Sequence, residues 1–271
     1  MKTLTMLLIV LPSMSWGAFE PCVQGARAEG LGGAVVACAD NGWTSFTNPS
    51  LLGAMDSRIL SFSYSPELFG VPGISRSALS FVDPSPLGTF ALSASTFGFS
   101  LYRETRLQLS YGVPIAGSVC VGGSLVCENL AIRHYGSVWT PAVDVGCGIA
   151  IGPLVRWGMA FSNALDAAIG SPPENLPEVM ATGVCCRPVA EGLVCLDLVK
   201  DLRYPLEVRA GLEYTALELL SVRVGLTTEP STYAAGVGIR VGFLQFDYAC
   251  TGHPDLGLTH HIGLAFCPLE L

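Results

Sequence analysis

The sequence predicts an all-β protein that closes into a transmembrane barrel, and three patterns lead to this prediction. They are an alternation of apolar and polar residues, a difference in length between successive links, and the placement of charges. Between Leu206 and Tyr214 every even-numbered residue is apolar, whereas the odd-numbered residues are Glu, Arg or Gly. Successive side chains of a β-strand point to opposite faces, so this segment has one apolar and one polar face. Repeated around a closed sheet, the pattern is typical of outer membrane barrels, which are apolar outside and polar inside.

The first 17 residues have the features of a secretory signal. Lys2 provides a positive charge, residues 4–11 are apolar, and Ser15 and Gly17 are small residues at the cleavage positions. We therefore divide the chain into a signal peptide (1–17), an N-terminal segment (18–55) and a barrel (56–271).

The composition is typical of a membrane protein, since 50% of the residues are hydrophobic and 13% are charged. A membrane-spanning helix needs about 20 consecutive apolar residues. The longest weakly charged stretch, residues 107–127, contains Pro114 and four glycines, which favour strands and turns over a helix. The net charge of −8 and the lack of any run of basic residues argue against nucleic acid as a partner.

Fourteen segments carry the alternation and are close to the about 9–11 residues that a tilted strand needs to cross a bilayer. We predict antiparallel strands at residues 58–66, 74–83, 88–98, 104–113, 118–128, 141–151, 154–163, 178–188, 193–200, 205–215, 219–227, 232–241, 243–250 and 257–266.

The links between these segments alternate in length. Even-numbered strands are followed by tight links such as 152–153 and 216–218, and several odd-numbered strands by longer polar links such as 129–140 and 164–177. Outer membrane barrels have short periplasmic turns and longer external loops. The asymmetry therefore predicts an outer membrane protein with both termini in the periplasm.

Charged residues within the predicted strands oppose the apolar phase. A lipid-facing Arg near the middle of a bilayer costs about 2–4 kcal/mol, so these side chains should point into the lumen. They are Arg106, Asp144, Arg156, Arg187, Asp197, Glu207, Arg209, Glu213, Arg223, Arg240 and Asp247. Across neighbouring strands, Glu213 is expected diagonal to Arg223, and Asp247 near Arg240.

Many other inward positions are small, which leaves room inside the barrel. They include Gly146, Gly148, Gly158, Gly236, Gly238 and Gly263. Residues 18–55 lack the strand rhythm and are rich in Gly and Ala. Asn48, Pro49 and Gly53 are favourable as the cap, the first residue and the stop of a short helix. We expect this segment to form short helical turns that occupy the lumen as a plug.

The sequence gives little sign of catalytic chemistry or of a cofactor. His260 and His261 lack further ligands at metal-site spacing, and residues 30–33 lack the Lys and Ser/Thr of a phosphate-binding loop. The ten cysteines contain no CxxC motif, and we expect most of them to act as small hydrophobic residues. Cys22 and Cys38 form the pair that we expect to bridge. We predict no enzyme, no catalytic residue, no metal site and no cofactor.

Two terminal motifs resemble a known family. Residues 25–37 read GARAEGLGGAVVA, Asp40 follows, and residues 46–52 read FTNPSLL. This opening, together with residues 244–248 and 253–260, resembles the FadL superfamily and in particular its PorV/PorQ-type branch. The resemblance implies a fourteen-stranded barrel with an N-terminal hatch inside the lumen. It assigns the hatch motif to Arg27, Gly30, Gly33, Asp40, Asn48 and Pro49.

The resemblance also implies two functions. The superfamily includes passive carriers of hydrophobic small molecules, and the PorV/PorQ branch includes components of protein secretion systems. We expect passive transport of a hydrophobic small molecule across the outer membrane, with membrane lipid as the surrounding partner. The alternative is a component of a type IX-like secretion or surface-assembly system, which binds an exported protein through external loops such as 164–177.

Overall fold

The structure is a computed structural model, and it describes residues 18–39, 42–171 and 173–267. The predicted signal peptide and the hatch-motif residue Asp40 lie outside the described residues. Within them, no helix is both long enough and apolar enough to cross a membrane.

Sixteen strands occur in the described part of the chain. They are β1 Ile59–Ser65, β2 Ser75–Ser85, β3 Gly88–Gly98, β4 Tyr102–Ala116, β5 Val119–Ile132, β6 Gly136–Ile151, β7 Val155–Ser162, β8 Ala168–Ile169, β9 Glu174–Asn175, β10 Val179–Val189, β11 Gly192–Asp201, β12 Glu207–Ala216, β13 Leu220–Thr228, β14 Ser231–Val241, β15 Leu244–His253 and β16 Gly257–Phe266. The helices are α1 Ala26–Gly30, α2 Thr44–Thr47, and 3-10 helices at Pro49–Ala54 and Leu68–Gly70.

Fourteen of these strands form a closed antiparallel barrel, as predicted. Each pairs with the next in sequence, β7 pairs with β10, and β1 pairs with β16 to close the ring. The two short strands β8 and β9 form a separate ribbon within the link between β7 and β10. The predicted fold class is therefore confirmed.

The outer face of the barrel is apolar. In β1 the exposed residues Leu60, Phe62 and Tyr64 alternate with buried serines, so that the polar side chains point inward. The same alternation places Leu212 outside and Glu213 inside in β12. An apolar band around a closed barrel is the exterior that a membrane-spanning barrel presents to lipid.

The two ends of the barrel differ in their links. At one end, which we call the turn end, every link between strands has two or three residues, and β16 finishes there. At the other, which we call the loop end, links 66–74 and 163–178 are the longest. The predicted long loop at 129–140 is wrong, because β5 and β6 remain paired up to Ile132 and Gly136. The paired residues there mix polar and apolar side chains, such as Asn129 opposite Trp139 and Leu130 opposite Val138, so the sequence pattern did not show where the strands end.

Residues 18–39 and 42–55 lie against the inner face of the barrel. Helix α1 contacts β13 to β16, and the 3-10 helix Pro49–Ala54 contacts β3 to β6. Inward glycines make this approach possible. A Cβ atom on Gly122 would lie 2.6 Å from the Pro49 carbonyl oxygen, and one on Gly225 would lie 2.1 Å from the Gly32 nitrogen. The predicted inward glycines also face this interior, for example Gly146 against Asn48.

The disulfide differs from the expected one. Cys185 and Cys195 lie directly opposite each other on β10 and β11, and they are bridged. Cys22 and Cys38 are free thiols, so the expected bridge between them is wrong. The reason is their placement: Cys38 is buried beside Leu31, whereas Cys22 is exposed.

Candidate functional site

A buried network of ion pairs ties α1 to the barrel wall. Arg27 donates from Nε and Nη2 to the two carboxylate oxygens of Glu213, at 2.8 and 2.7 Å. Glu213 also accepts from Arg223 Nε at 2.5 Å, and Arg223 Nη1 donates to Asp247 Oδ1 at 2.6 Å. Burial lowers the pKa of Arg27, but attraction to Cys38 and Glu213 outweighs it and holds that pKa above its ordinary value. Arg27 therefore stays charged inside the barrel.

The pairing within this network differs in detail from the expected one. Glu213 and Arg223 lie directly opposite each other instead of diagonally. Asp247 bonds to Arg223, while Arg240 reaches it only through Gln245, which accepts from Arg240 and donates to Asp247. Gly238 explains the choice, because a Cβ atom there would lie 2.7 Å from Arg223 Nη2. Because Gly238 has no side chain, the Arg223 guanidinium has room to reach Asp247 on β15.

Asn48 anchors the other half of the segment. Its Oδ1 accepts from the Ser50 backbone nitrogen at 3.2 Å and caps the 3-10 helix Pro49–Ala54. Its Nδ2 donates to the carbonyls of Val36 at 3.0 Å and Cys147 at 3.2 Å. One fully buried amide thus joins the helix, the preceding chain and β6.

The remaining hatch-motif residues lie along the same inner surface. Gly30 packs on Gly236, where a Cβ atom would lie 3.3 Å from that residue's Cα. Gly33 has a φ of +74° and lies beside Arg209, and the Pro49 carbonyl faces Gly122. Gly33 thus adopts a left-handed conformation that most residues avoid.

A third polar cluster lies toward the loop end, on β4 to β6. Arg106 donates to Glu128 Oε1 at 2.7 Å and to Asp144 Oδ2. Asp144 Oδ1 accepts from the Asn163 backbone nitrogen at 3.0 Å. Asn163 in turn holds link 163–178 through hydrogen bonds to Ala167 and Leu176. The cluster therefore connects the barrel wall to the longest link.

The other predicted lumen charges are more dispersed. Glu207 pairs with Arg209 on its own strand through both carboxylate oxygens, at 2.8 Å each. Asp197 accepts from the Val36 backbone nitrogen at 2.9 Å, which holds the segment to β11. Arg156 borders a cavity at the turn end, described below.

Sequence reasoning missed several charged residues of the lumen, and three of them lie together. Arg76, Glu104 and Glu128 all border the interior cavity beside Arg106. Glu104 precedes Arg106 by two positions and shares its phase, so the alternation contained the signal. Glu128 stood at the last position of a strand predicted too short.

Within the described part of the lumen, cavities lie on both sides of the N-terminal segment. The loop-end chamber, of about 760 Å³, borders Gly32 and Gly33 of the segment and the side chains of Phe69, Tyr204 and Leu256. The turn-end chamber, of about 350 Å³, borders Arg27, Trp43, Arg156, Arg240 and Asp247. A smaller inner pocket, of about 150 Å³, adjoins the loop-end chamber and is bordered by Phe19, Phe97, Glu128 and Leu176. Cys22 and Val23 border both the loop-end chamber and the inner pocket.

The interior combines polar and apolar side chains. His261 is buried between the hydroxyls of Ser65 at 2.8 Å and Thr251 at 3.0 Å. Among the described residues, no group of His, Cys, Asp and Glu is arranged to hold a metal ion. The lumen offers concave surfaces with mixed apolar and charged walls, a setting that binds small molecules.

Comparisons with known proteins support the fold. No protein-family model matches the sequence, and no curated protein matches it. The toluene transporter TbuX of Ralstonia pickettii is 13% identical, with 90% of this chain and 97% of that chain covered and a TM-score of 0.67.

Two further solved structures are similar. The monoaromatic hydrocarbon channel CymD is 13% identical, with 91% and 98% of the two chains covered and a TM-score of 0.68. A FadL homologue of Pseudomonas aeruginosa is 10% identical, with 91% and 97% covered and a TM-score of 0.65. The first of these three is described as a toluene transporter and the second as a monoaromatic hydrocarbon channel. At these identities the likeness establishes the fold, and the chain has the barrel fold of the FadL-type transporters.

Proposed function

We propose that this protein is a passive outer membrane channel for small hydrophobic molecules, which enter at the loop end. The observation that carries the proposal is the division of the lumen into a loop-end and a turn-end chamber by residues 18–55. The similar structures support it, because two of them are described as a toluene transporter and a monoaromatic hydrocarbon channel.

In this proposal residues 18–55 act as a hatch and residues 56–271 as the barrel. A ligand held in the loop-end chamber passes into the turn-end chamber when part of the segment shifts. The turn end faces the periplasm, in keeping with its short links. Asn48 is the residue whose loss should release the 3-10 half of the hatch, because it joins three parts of the structure.

The longest loop-end link favours a ligand in the lumen over capture of an exported protein. Ile169 and Leu176 of link 163–178 are buried against Val126 and Ala142 of the barrel, together with Phe19. Ile169 and Leu176 therefore point inward, away from any partner outside, although Leu165 of the same link is exposed. The PorV/PorQ-type role stays a prediction from the terminal motifs.

The channel is tested by uptake into intact cells that lack their own hydrocarbon channels. We expect cells that produce the protein to take up radiolabelled toluene, at low external concentration, faster than cells that do not. Asn48→Ala should change this rate several-fold, because loss of a helix cap costs about 0.5–2 kcal/mol and the two carbonyls lose their donor.

The matched control is Asn129→Ala. Asn129 is also buried and also donates to a carbonyl, that of Val138 at 3.0 Å, but this bond lies within the β5–β6 hairpin. Equal uptake with and without the protein would refute the channel. Equal rates in wild type and Asn48→Ala, with the protein active, would refute the hatch alone.

A further inference from the structure

Two arginines are neighbours on the outer face of the barrel at the loop end. Arg103 of β4 lies opposite Ala131 of β5, and the backbone nitrogen of Arg133 donates to the Leu101 carbonyl at 2.9 Å, which extends the same ladder. Both side chains are exposed and have the outward phase, because Glu104, of the opposite phase, borders the inner pocket. Diagonal neighbours on one face of a sheet lie about 7–8 Å apart, so one small anion can contact both guanidinium groups.

Neither arginine has an acidic partner within the described chain. Among the described residues, Arg103 and Arg133 form no ion pair and no side-chain hydrogen bond. In contrast, Arg58, which is also exposed, pairs with Asp83 at 2.6 Å. Like charges at neighbouring positions of one sheet face are destabilising. An anion between the two arginines removes this repulsion, and phosphate matches the planar fork of N–H donors that a guanidinium presents.

The surface between the two arginines is low and offers a further donor. Ala131 carries only a methyl group, and Ser137 of β6, itself exposed, lies directly opposite it. Arg103, Arg133 and Ser137 thus surround one small side chain on the outward face. Together they present guanidinium and hydroxyl donors to a single anion.

The level of this site along the barrel indicates a lipid as the source of the anion. Leu107 and Leu109 follow Arg103 on the outward phase and are exposed, so the arginine lies at the border of the apolar band. Trp139 is also exposed and lies two positions from Ser137 on the same face. Tryptophan is enriched at the level of lipid headgroups. A phosphate bound between the arginines therefore has its acyl chains beside the exposed leucines.

The charge of the surrounding surface localises the anion to this sector. Exposed carboxylates occupy other loop-end links, at Glu67, Glu229 and Asp255, and the whole chain has a net charge of −8. Most of this surface therefore repels an anion, whereas the sector of β4 to β6 attracts one.

We propose that Arg103, Arg133 and Ser137 form a binding site for the phosphate group of a membrane lipid, whose acyl chains lie against the apolar band. In the orientation proposed above the loop end faces outward, so this lipid belongs to the outer leaflet. The site goes beyond the channel function, because it does not depend on what passes through the lumen.

Titrations of the purified barrel in detergent, followed by native mass spectrometry, test the site with phosphorylated lipid A as the probe. The same lipid without its phosphates is the comparison. We expect the phosphorylated lipid to bind about tenfold or more tightly, because hydrogen bonds between charged groups are among the stronger ones. Added salt should weaken this binding, since the site is exposed. Millimolar inorganic phosphate should displace little lipid, because it lacks the acyl chains.

Two variants locate the effect. The double variant Arg103→Gln with Arg133→Gln should bind phosphorylated lipid A about tenfold more weakly and the dephosphorylated lipid as well as the wild type does. Arg58→Gln is the matched control, because it also removes an exposed arginine, but one that is already paired with Asp83. Its affinity for both lipids should equal that of the wild type.

Equal affinity of the wild type for the two lipids would overturn the proposal, whether or not the double variant folds. Unchanged affinity in a folded double variant, or an equal loss in Arg58→Gln, would overturn it as well. Full displacement by millimolar inorganic phosphate would overturn the lipid as the occupant. Failure of toluene uptake by cells, in contrast, would refute the channel and leave the lipid titrations unaffected.

Discussion

The two halves of the N-terminal segment both rest on inward glycines of the barrel wall, but only the α1 half is also bound by a network of buried ion pairs. The α1 half is bound by ion pairs, in which Arg27 meets Glu213 and Arg223 continues to Asp247. The 3-10 half rests on glycines of β4 to β6, where its backbone lies against positions that lack a side chain, such as Gly122. Its principal polar link is the amide of Asn48.

This difference indicates how each half responds to change. An ion-pair network spans several strands, and each charge depends on the others, so removal of one member leaves its partners buried and unpaired. A contact between the segment and a glycine of the barrel wall includes no side-chain bond that a mutation could remove. It tolerates no added atom, however, because the interior is close-packed. Both halves are therefore sensitive to an added atom, as at Gly225 beneath Gly32 and Gly122 beneath Pro49, and the α1 half is in addition sensitive to the loss of a charge.

The largest effect should follow from Glu213→Gln. The variant leaves Arg27 and Arg223 with one carboxylate between them, in a site where the three side chains are at most 9% exposed. Removal of one partner of a buried pair costs about 3–5 kcal/mol. We expect the free energy of unfolding in detergent to fall by about this amount and hydrogen exchange of the α1 amides to accelerate. Unchanged α1 exchange would show that the network does not hold this half.

A smaller effect should follow from Gly122→Ala. The new Cβ atom would lie 2.6 to 2.7 Å from backbone atoms of Pro49 and Ser50, which must move. Overpacking of this kind costs about 1–3 kcal/mol. We expect faster hydrogen exchange in the 3-10 helix and unchanged exchange in α1.

Gly123→Ala is the neighbouring control. Its Cβ atom would face away from the segment, with Asp144 O at 3.3 Å as the nearest atom. If both alanine variants changed hydrogen exchange in the 3-10 helix equally, the contact with Gly122 would not be what holds this helix in place.

The sequence predicted the barrel because alternation is a local property that each strand carries by itself. The same alternation identified the face of each lumen charge but not its partner, which depends on register and on space. Arg223 bonds to Asp247 because Gly238 leaves a gap, and nothing in the spacing of the two charges indicates this.

The disulfide shows the same limit. Cys185 and Cys195 lie on the inward phase at nearly equal distances from the tight link 190–191. A β-bulge between Cys186 and Val189 shifts the register by one, and this shift brings the two cysteines opposite each other. Without the bulge, the register set at the turn by Val189 and Gly192 would place Cys185 opposite Leu196. The presence of the two strands was therefore predictable from the sequence. Which residues lie opposite each other across them became visible only in the structure.

The smallest effect should follow from Glu207→Gln, and it sharpens the contrast with Glu213→Gln. The chemical change is the same, and Glu207 also forms two hydrogen bonds to an arginine, at 2.8 Å each. The differences are that the pair lies within one strand, borders the loop-end chamber, and leaves only one arginine without its carboxylate. Arg209 and Glu207 are 13% and 14% exposed and border the chamber, so water reaches them better than it reaches the Glu213 network, and the expected loss is smaller, about 1–2 kcal/mol. We expect urea titrations of the two variants to differ by several-fold in lost unfolding free energy. A loss for Glu207→Gln as large as that for Glu213→Gln would mean that neither access to water nor the number of arginines left unpaired decides the cost.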